Sequence, residues 1–146
     1  MGYVMGGERI SKKRKFMRGK RIYKAIGTRS ELLSAYKSEE NGDYEDAFNK
    51  YLSSAKRGKD EGDRMLSAIG YFRAGNCAKR MGNISKAKEL YLNATKSLME
   101  AVEKNKLDKN QAIKIYRTAA LYAMHAGRYK LAEELLRKSR EIEEEK

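Results

Sequence analysis

The chain has 146 residues, 40% of them apolar, with no proline, one cysteine, one histidine and a formal charge of +13 at neutral pH. That length and apolar content suit one folded domain with a real core and exclude a chain that is disordered throughout. A lone Cys77 excludes an intramolecular disulfide, and with His125 it cannot supply a four-ligand zinc site, so no metal or other cofactor is expected.

The charge is concentrated at the start. Residues 1–30 carry ten Lys/Arg against Glu8 alone, whereas the other 116 residues carry 23 basic and 19 acidic groups. Residues 1–27 are therefore predicted to form a basic arm, interrupted by Gly2, Gly6, Gly7, Gly19 and Gly27. Its densest part holds Lys12, Lys13, Arg14, Lys15, Phe16, Arg18, Lys20 and Arg21, a run suited to polyanions such as nucleic acid, an acidic protein face or anionic lipid. Tyr3, Phe16 and Tyr23 alternate with basic residues there and are candidates for stacking on bases. The arm lacks the apolar stretch of a secretory signal and the sustained apolar face of an interfacial helix. Nowhere does the chain approach the roughly twenty apolar residues of a membrane span. Gly6 stands where a myristoylation signal needs Ser or Thr. The expected location is the cytoplasm.

Residues 28–146 are predicted to be an all-α domain. Thr28 with Glu31, and Asp108 with Gln111, have the spacing of a helix capping box, and Asp63 suits a further helix start. Gly42, Gly82 and Gly127 suit the left-handed conformation that ends a helix and reverses the chain. Six helices are predicted, over 29–41, 43–58, 63–81, 84–104, 108–126 and 128–143. In the fourth, Ile84, Ala87, Leu90, Tyr91, Ala94, Leu98 and Val102 fall on one stripe; in the sixth, Tyr129, Ala132, Leu135, Leu136 and Ile142 do the same.

A register emerges when the chain is aligned on its three turn glycines. Two residues after each stand Tyr44, Ile84 and Tyr129; five after, Ala47, Ala87 and Ala132; nine after, Tyr51, Tyr91 and Leu136. Upstream of the second and third glycines stand Tyr71 and Tyr116, then Gly75 and Ala120, then Ala78 and Ala123. Over about residues 29–143 this pattern resembles a tetratricopeptide repeat, in which small residues let two helices approach and aromatics fill the gaps between hairpins. The turn-to-turn spacings of 40 and 45 residues exceed the roughly 34 of the standard repeat and are similar to the longer hairpins of SNAP-type adaptors. The resemblance implies a right-handed stack of three hairpins. It places Tyr44, Tyr51, Tyr71, Tyr91, Tyr116 and Tyr129 in core slots rather than in a base-stacking surface. The last hairpin has no further helix to cover it, so a second copy or a partner is expected at that end.

The resemblance also implies peptide binding along a concave face lined by the first helix of each hairpin. The residues it puts there are Phe72, Asn76, Lys79, Arg80, Lys114, Arg117, Leu121, Met124 and His125. Their basic character suits an acidic segment or a C-terminal carboxylate. The stretch Arg73-Ala74-Gly75-Asn76 is similar to the carboxylate clamp of chaperone-binding relatives, but Phe72 occupies its lysine slot and Arg117 is one residue out of register. Cys77 and His125 form the chain's one nucleophile–imidazole combination, and the ordinary role of each is a core thiol and a groove imidazole. The sequence therefore points to a non-enzymatic protein–protein adaptor. The alternative is an RNA- or ribosome-associated protein anchored by its arm, with a membrane adaptor the weakest reading.

Overall fold

The computed structural model describes residues 30–145, and all regular structure among them is helical. The described chain opens in a helix over residues 30–40 (α1). It continues through α2 (Tyr44–Glu61), α3 (Arg64–Arg80), α4 (Ile84–Lys104), α5 (Lys109–His125) and α6 (Tyr129–Glu144). The predicted helices coincide with these to within three residues at every described end.

The starts are set by short polar side chains that satisfy amides with no partner inside the helix. Asp43, Asp63 and Asn83 each accept a hydrogen bond from the amide three residues on. Asp108 and Gln111 form the complete reciprocal box. Thr28 of the other expected box lies outside the described residues; Glu31 directs its carboxylate across to α2, accepting from Ser54 Oγ at 2.9 Å and pairing with Arg57 at 2.7 Å. At α6 the position belongs to Arg128, which makes no capping hydrogen bond.

Four of the described helix ends follow one rule. Gly42, Gly62, Gly82 and Gly127 all have φ between +76° and +85°. After each, the next amide reaches back five residues, as from Asn83 N to Ala78 O at 2.9 Å. Gly62 uses the same geometry as the other three, although the sequence register singled out only those. Between α4 and α5 the chain instead leaves through an extended Asn105.

Each helix from α2 to α6 packs on its neighbour in sequence. The contacts are close because the facing residues are small. A methyl group on Gly70 would lie 2.7 Å from Ala55 N and 2.8 Å from Tyr51 O, and one on Gly75 would lie 2.8 Å from the Tyr91 ring. The core has two lobes. The first gathers Ala47, Tyr51, Ala55, Ala74, Ala78, Ala87, Leu90 and Tyr91; the second gathers Ala68, Leu98, Ala119, Ala120, Ala123, Ala132 and Leu135. Half-buried Tyr122 packs against both. Ala87 and Ala132, whose burial the repeat register requires, are almost wholly enclosed.

The register fails at the first residue of two helices. Ile84 and Tyr129 were expected in the core, yet they are exposed, Tyr129 at 66%. Each is the residue that enters its helix from the turn, so it sits at the rim of the helix pair, beyond the facing helix. Tyr44 and Tyr116 are half-buried, while Tyr51, Tyr71 and Tyr91 are buried as expected. Among the described residues no helix is long and apolar enough to cross a membrane.

Candidate functional site

The middle helix α3 touches both α1 and α5 directly. On α3, Phe72 stacks on Tyr122 of α5, with ring centroids 4.2 Å apart and planes 12° from parallel. The next residue, Arg73, lies over the ring of Tyr36 on α1 at 4.7 Å and donates to its hydroxyl at 3.0 Å. Phe72 and Arg73 are thus adjacent residues that tie one helix to its two counterparts. His125 sets its ring edge-on to Phe72 and also meets Tyr91 of α4. Tyr91 in turn donates to Asn76 Oδ1 at 2.7 Å. Burial pushes the Tyr91 and Tyr122 phenols above their ordinary range, so both remain neutral donors under physiological conditions.

The nine residues expected in a partner groove separate into three sets. Phe72, Asn76 and His125 come together in this aromatic cluster. Lys114, Arg117, Leu121 and Met124 recur at steps of three and four along α5 and form one exposed stripe, with His125 at its edge four residues after Leu121 and Tyr122 turned to Phe72 of α3. Arg117 from that stripe reaches α6, where it pairs with Glu143. Lys79 and Arg80 close the end of α3. The guanidinium of Arg80 lies 5.4 Å from the Tyr44 ring centroid on α2 and donates to its hydroxyl.

The sequence reading missed Tyr36, Arg73 and Tyr122 as groove formers. Tyr36 and Arg73 are 37 residues apart, and Tyr122 occupies a slot that holds Cys77 in the preceding hairpin, so no repeated spacing marks any of them. Around these contacts the α1–α3–α5 face is rich in exposed apolar surface: Leu33, Tyr36, Met65, Ile69 and Leu121 are each between 38% and 50% exposed. Ile69 shares its helical stripe with Phe72, Arg73 and Asn76.

Cys77 does not belong to this surface. It is fully buried in the first core lobe, where burial, followed by the charge of Glu39, pushes its thiol up to about 12. It therefore keeps its proton at neutral pH and is a poor nucleophile. Among the described residues no group of three or more His, Cys, Asp or Glu side chains could hold a metal ion. The arm residues Lys12, Lys13, Arg14, Lys15, Phe16, Arg18, Lys20 and Arg21 lie outside the described residues.

What the described geometry offers is a semi-apolar face with cationic edges. Comparison with protein-family models, with curated proteins and with solved structures returned no match to this chain.

Proposed function

We propose that this chain is a non-enzymatic adaptor whose tetratricopeptide-like, right-handed stack of hairpins holds an acidic segment of a partner protein. The observation that carries this reading is the direct contact of α3 with both α1 and α5, through Arg73–Tyr36 and Phe72–Tyr122. Three like helices held side by side make a continuous surface, and exposed Leu33, Ile69 and Leu121 with nearby Lys79 and Lys114 give it apolar anchors and positive charge. The basic arm adds electrostatic attachment to a polyanionic surface, which raises capture rate and salt sensitivity more than selectivity.

The test compares what co-purifies with the full chain from native cells, with and without residues 1–27, at low and high salt. A groove variant, Ile69→Asp with Leu121→Asp, changes only exposed positions. A protein partner that survives arm deletion and is lost with the groove variant supports the adaptor. RNA that is held by the intact chain, lost on arm deletion and lost steeply with salt supports the ribosome- or RNA-associated alternative instead.

A further inference from the structure

A cleft of about 190 Å³ opens between the first half of α3 and the second half of α4, beside the α2–α3 turn. It lies away from the aromatic cluster and uses none of its residues. Lys59, Arg64 and Lys96 contribute three cations to its lining, and Glu100 is the one carboxylate among its lining residues.

Two features of the lining are costly for a merely structural gap. Arg64 Nε is buried and makes no hydrogen bond among the described residues; its ionic contact with Glu100 Oε1 is long, at 3.9 Å. A buried donor without an acceptor destabilises the fold, and more so when it is charged. Deeper in, Ser67 and Ser97 are buried with their hydroxyl oxygens 3.0 Å apart. That single bond uses one of their two hydroxyl protons and leaves the other to donate.

The chain supplies its own control. In the register of the turn glycines, the third hairpin has Ala112 and Ile142 where the second has Ser67 and Ser97, and Glu141 in place of Lys96. There Glu141 pairs with Arg137 on its own helix. The repeat register thus carries half-buried apolar residues and a carboxylate in one hairpin, and buried hydroxyls and a cation in the other, so the repeat itself does not require the second set.

We propose that this cleft is an oxyanion site that takes a phosphate group, either free or as the monoester of a small molecule. Arg64 Nε and the spare serine proton donate to its oxygens, while Lys59 and Lys96 balance its second charge. Glu100, more than half exposed, turns outward to water as the anion enters. The cleft is walled by two helices and a turn, so it admits one phosphate group rather than a run of them.

The experiment is an NMR titration of the full chain with inorganic phosphate and with glycerol phosphate, in chloride of matched ionic strength. Saturable shifts at the amides of Arg64, Ser67 and Ser97 are expected. Binding at those amides should weaken at least tenfold in Arg64→Gln and in Ser67→Ala with Ser97→Ile, which installs the third hairpin's own residues. Both variants carry the intact arm, so phosphate held by the arm cancels in the comparison, and an unchanged or higher Tm for the serine variant excludes misfolding as the cause. Tighter binding of the monoester assigns the site to a carried phosphate, and equal affinities assign it to the free anion. Shifts that do not saturate, or that persist equally in both variants, overturn the proposal.

Discussion

One nitrogen of the Arg117 guanidinium donates to both carboxylate oxygens of Glu143, each at 3.1 Å, and so joins α5 to α6. In the turn-glycine register these positions correspond to Phe72 and Leu98 of the preceding hairpin. There, Phe72 stacks on Tyr122, and Leu98 is buried with Ala119, Ala120 and Ala123, so both serve to bury one hairpin against the next. In the last described hairpin a charged pair occupies the places where the preceding hairpin has these apolar residues.

This exchange predicts the oligomeric behaviour of that end. The natural chain should self-associate through it less than an apolar variant does, because the exposed ion pair interrupts the apolar surface that Leu121 and Met124 offer there. Arg117→Phe with Glu143→Leu should produce a mass that rises with concentration in light scattering, as a self-complementary apolar patch is created. Unchanged monomer mass in the double variant would contradict the assignment. Arg117→Ala alone should alter stability by no more than about 1 kcal/mol, as exposed pairs do.

Gly70 and Gly75 both stand where helices nearly touch, but their neighbours differ in kind. At Gly70 the obstacles are the backbone atoms Ala55 N and Tyr51 O, so a methyl group must push α2 and α3 apart. At Gly75 the obstacle is the Tyr91 side chain, held by its bond to Asn76. Gly75→Ala should cost about 1–3 kcal/mol and Gly70→Ala more, by urea denaturation. Tyr91→Leu should relieve part of the Gly75→Ala cost but none of the Gly70→Ala cost, a coupling that a double-mutant cycle reads directly.

Arg128 occupies a helix start where Asp43 and Asn83 stand in the other two hairpins, and it leaves the first amides of α6 without a side-chain acceptor. Its positive charge also opposes the helix dipole. Arg128→Asp should therefore stabilise the chain by about 1 kcal/mol, seen as a higher Tm. A local rule broken in this way is often retained for function, so the same variant should be compared with the natural chain in partner capture.

Alkaline pH should destabilise the fold before it affects anything else in the core. Burial raises Cys77 from 9.0 to about 12, and it also raises the phenols of Tyr51, Tyr91 and Tyr122 from 10.0. The folded chain then holds protons that the unfolded chain has released, so stability falls as pH rises through this range. The urea midpoint should be level up to about pH 8 and decline from about pH 9. In Cys77→Ala the decline should begin about one unit later, when only the phenols contribute.

Much of the fold was legible because its signals are local. Asp63 and Asp108 mark helix starts through bonds spanning three residues, and Gly42, Gly82 and Gly127 mark ends through a backbone conformation few other residues adopt. Gly62 escaped notice because the repeat register offers no counterpart for it. Ile84 and Tyr129 were misread because a stripe drawn on a helix takes no account of where the facing helix stops. The groove was less legible still. Arg73 meets Tyr36, and Phe72 meets Tyr122, across helices that are not consecutive, and no spacing within a helix encodes such a meeting. The two-serine cleft had no signature at all until its place could be compared with Ala112 and Ile142.

Tyr122 belongs to both lobes of the core, and the strand-like exit at Asn105 lies between the hairpins that those lobes serve. The boundary between α4 and α5 is therefore a natural place for partial opening, with α5 and α6 departing together while the first four helices keep their own interior. Amide hydrogens of the last hairpin should exchange sooner than those around Leu90 and Tyr91. Among the described residues, a protease should find its first accessible bond within 105–108, releasing a fragment that still contains the first lobe. Any ligand that leans on both Phe72 and Tyr122 would then act as a latch across this boundary, slowing both processes at once.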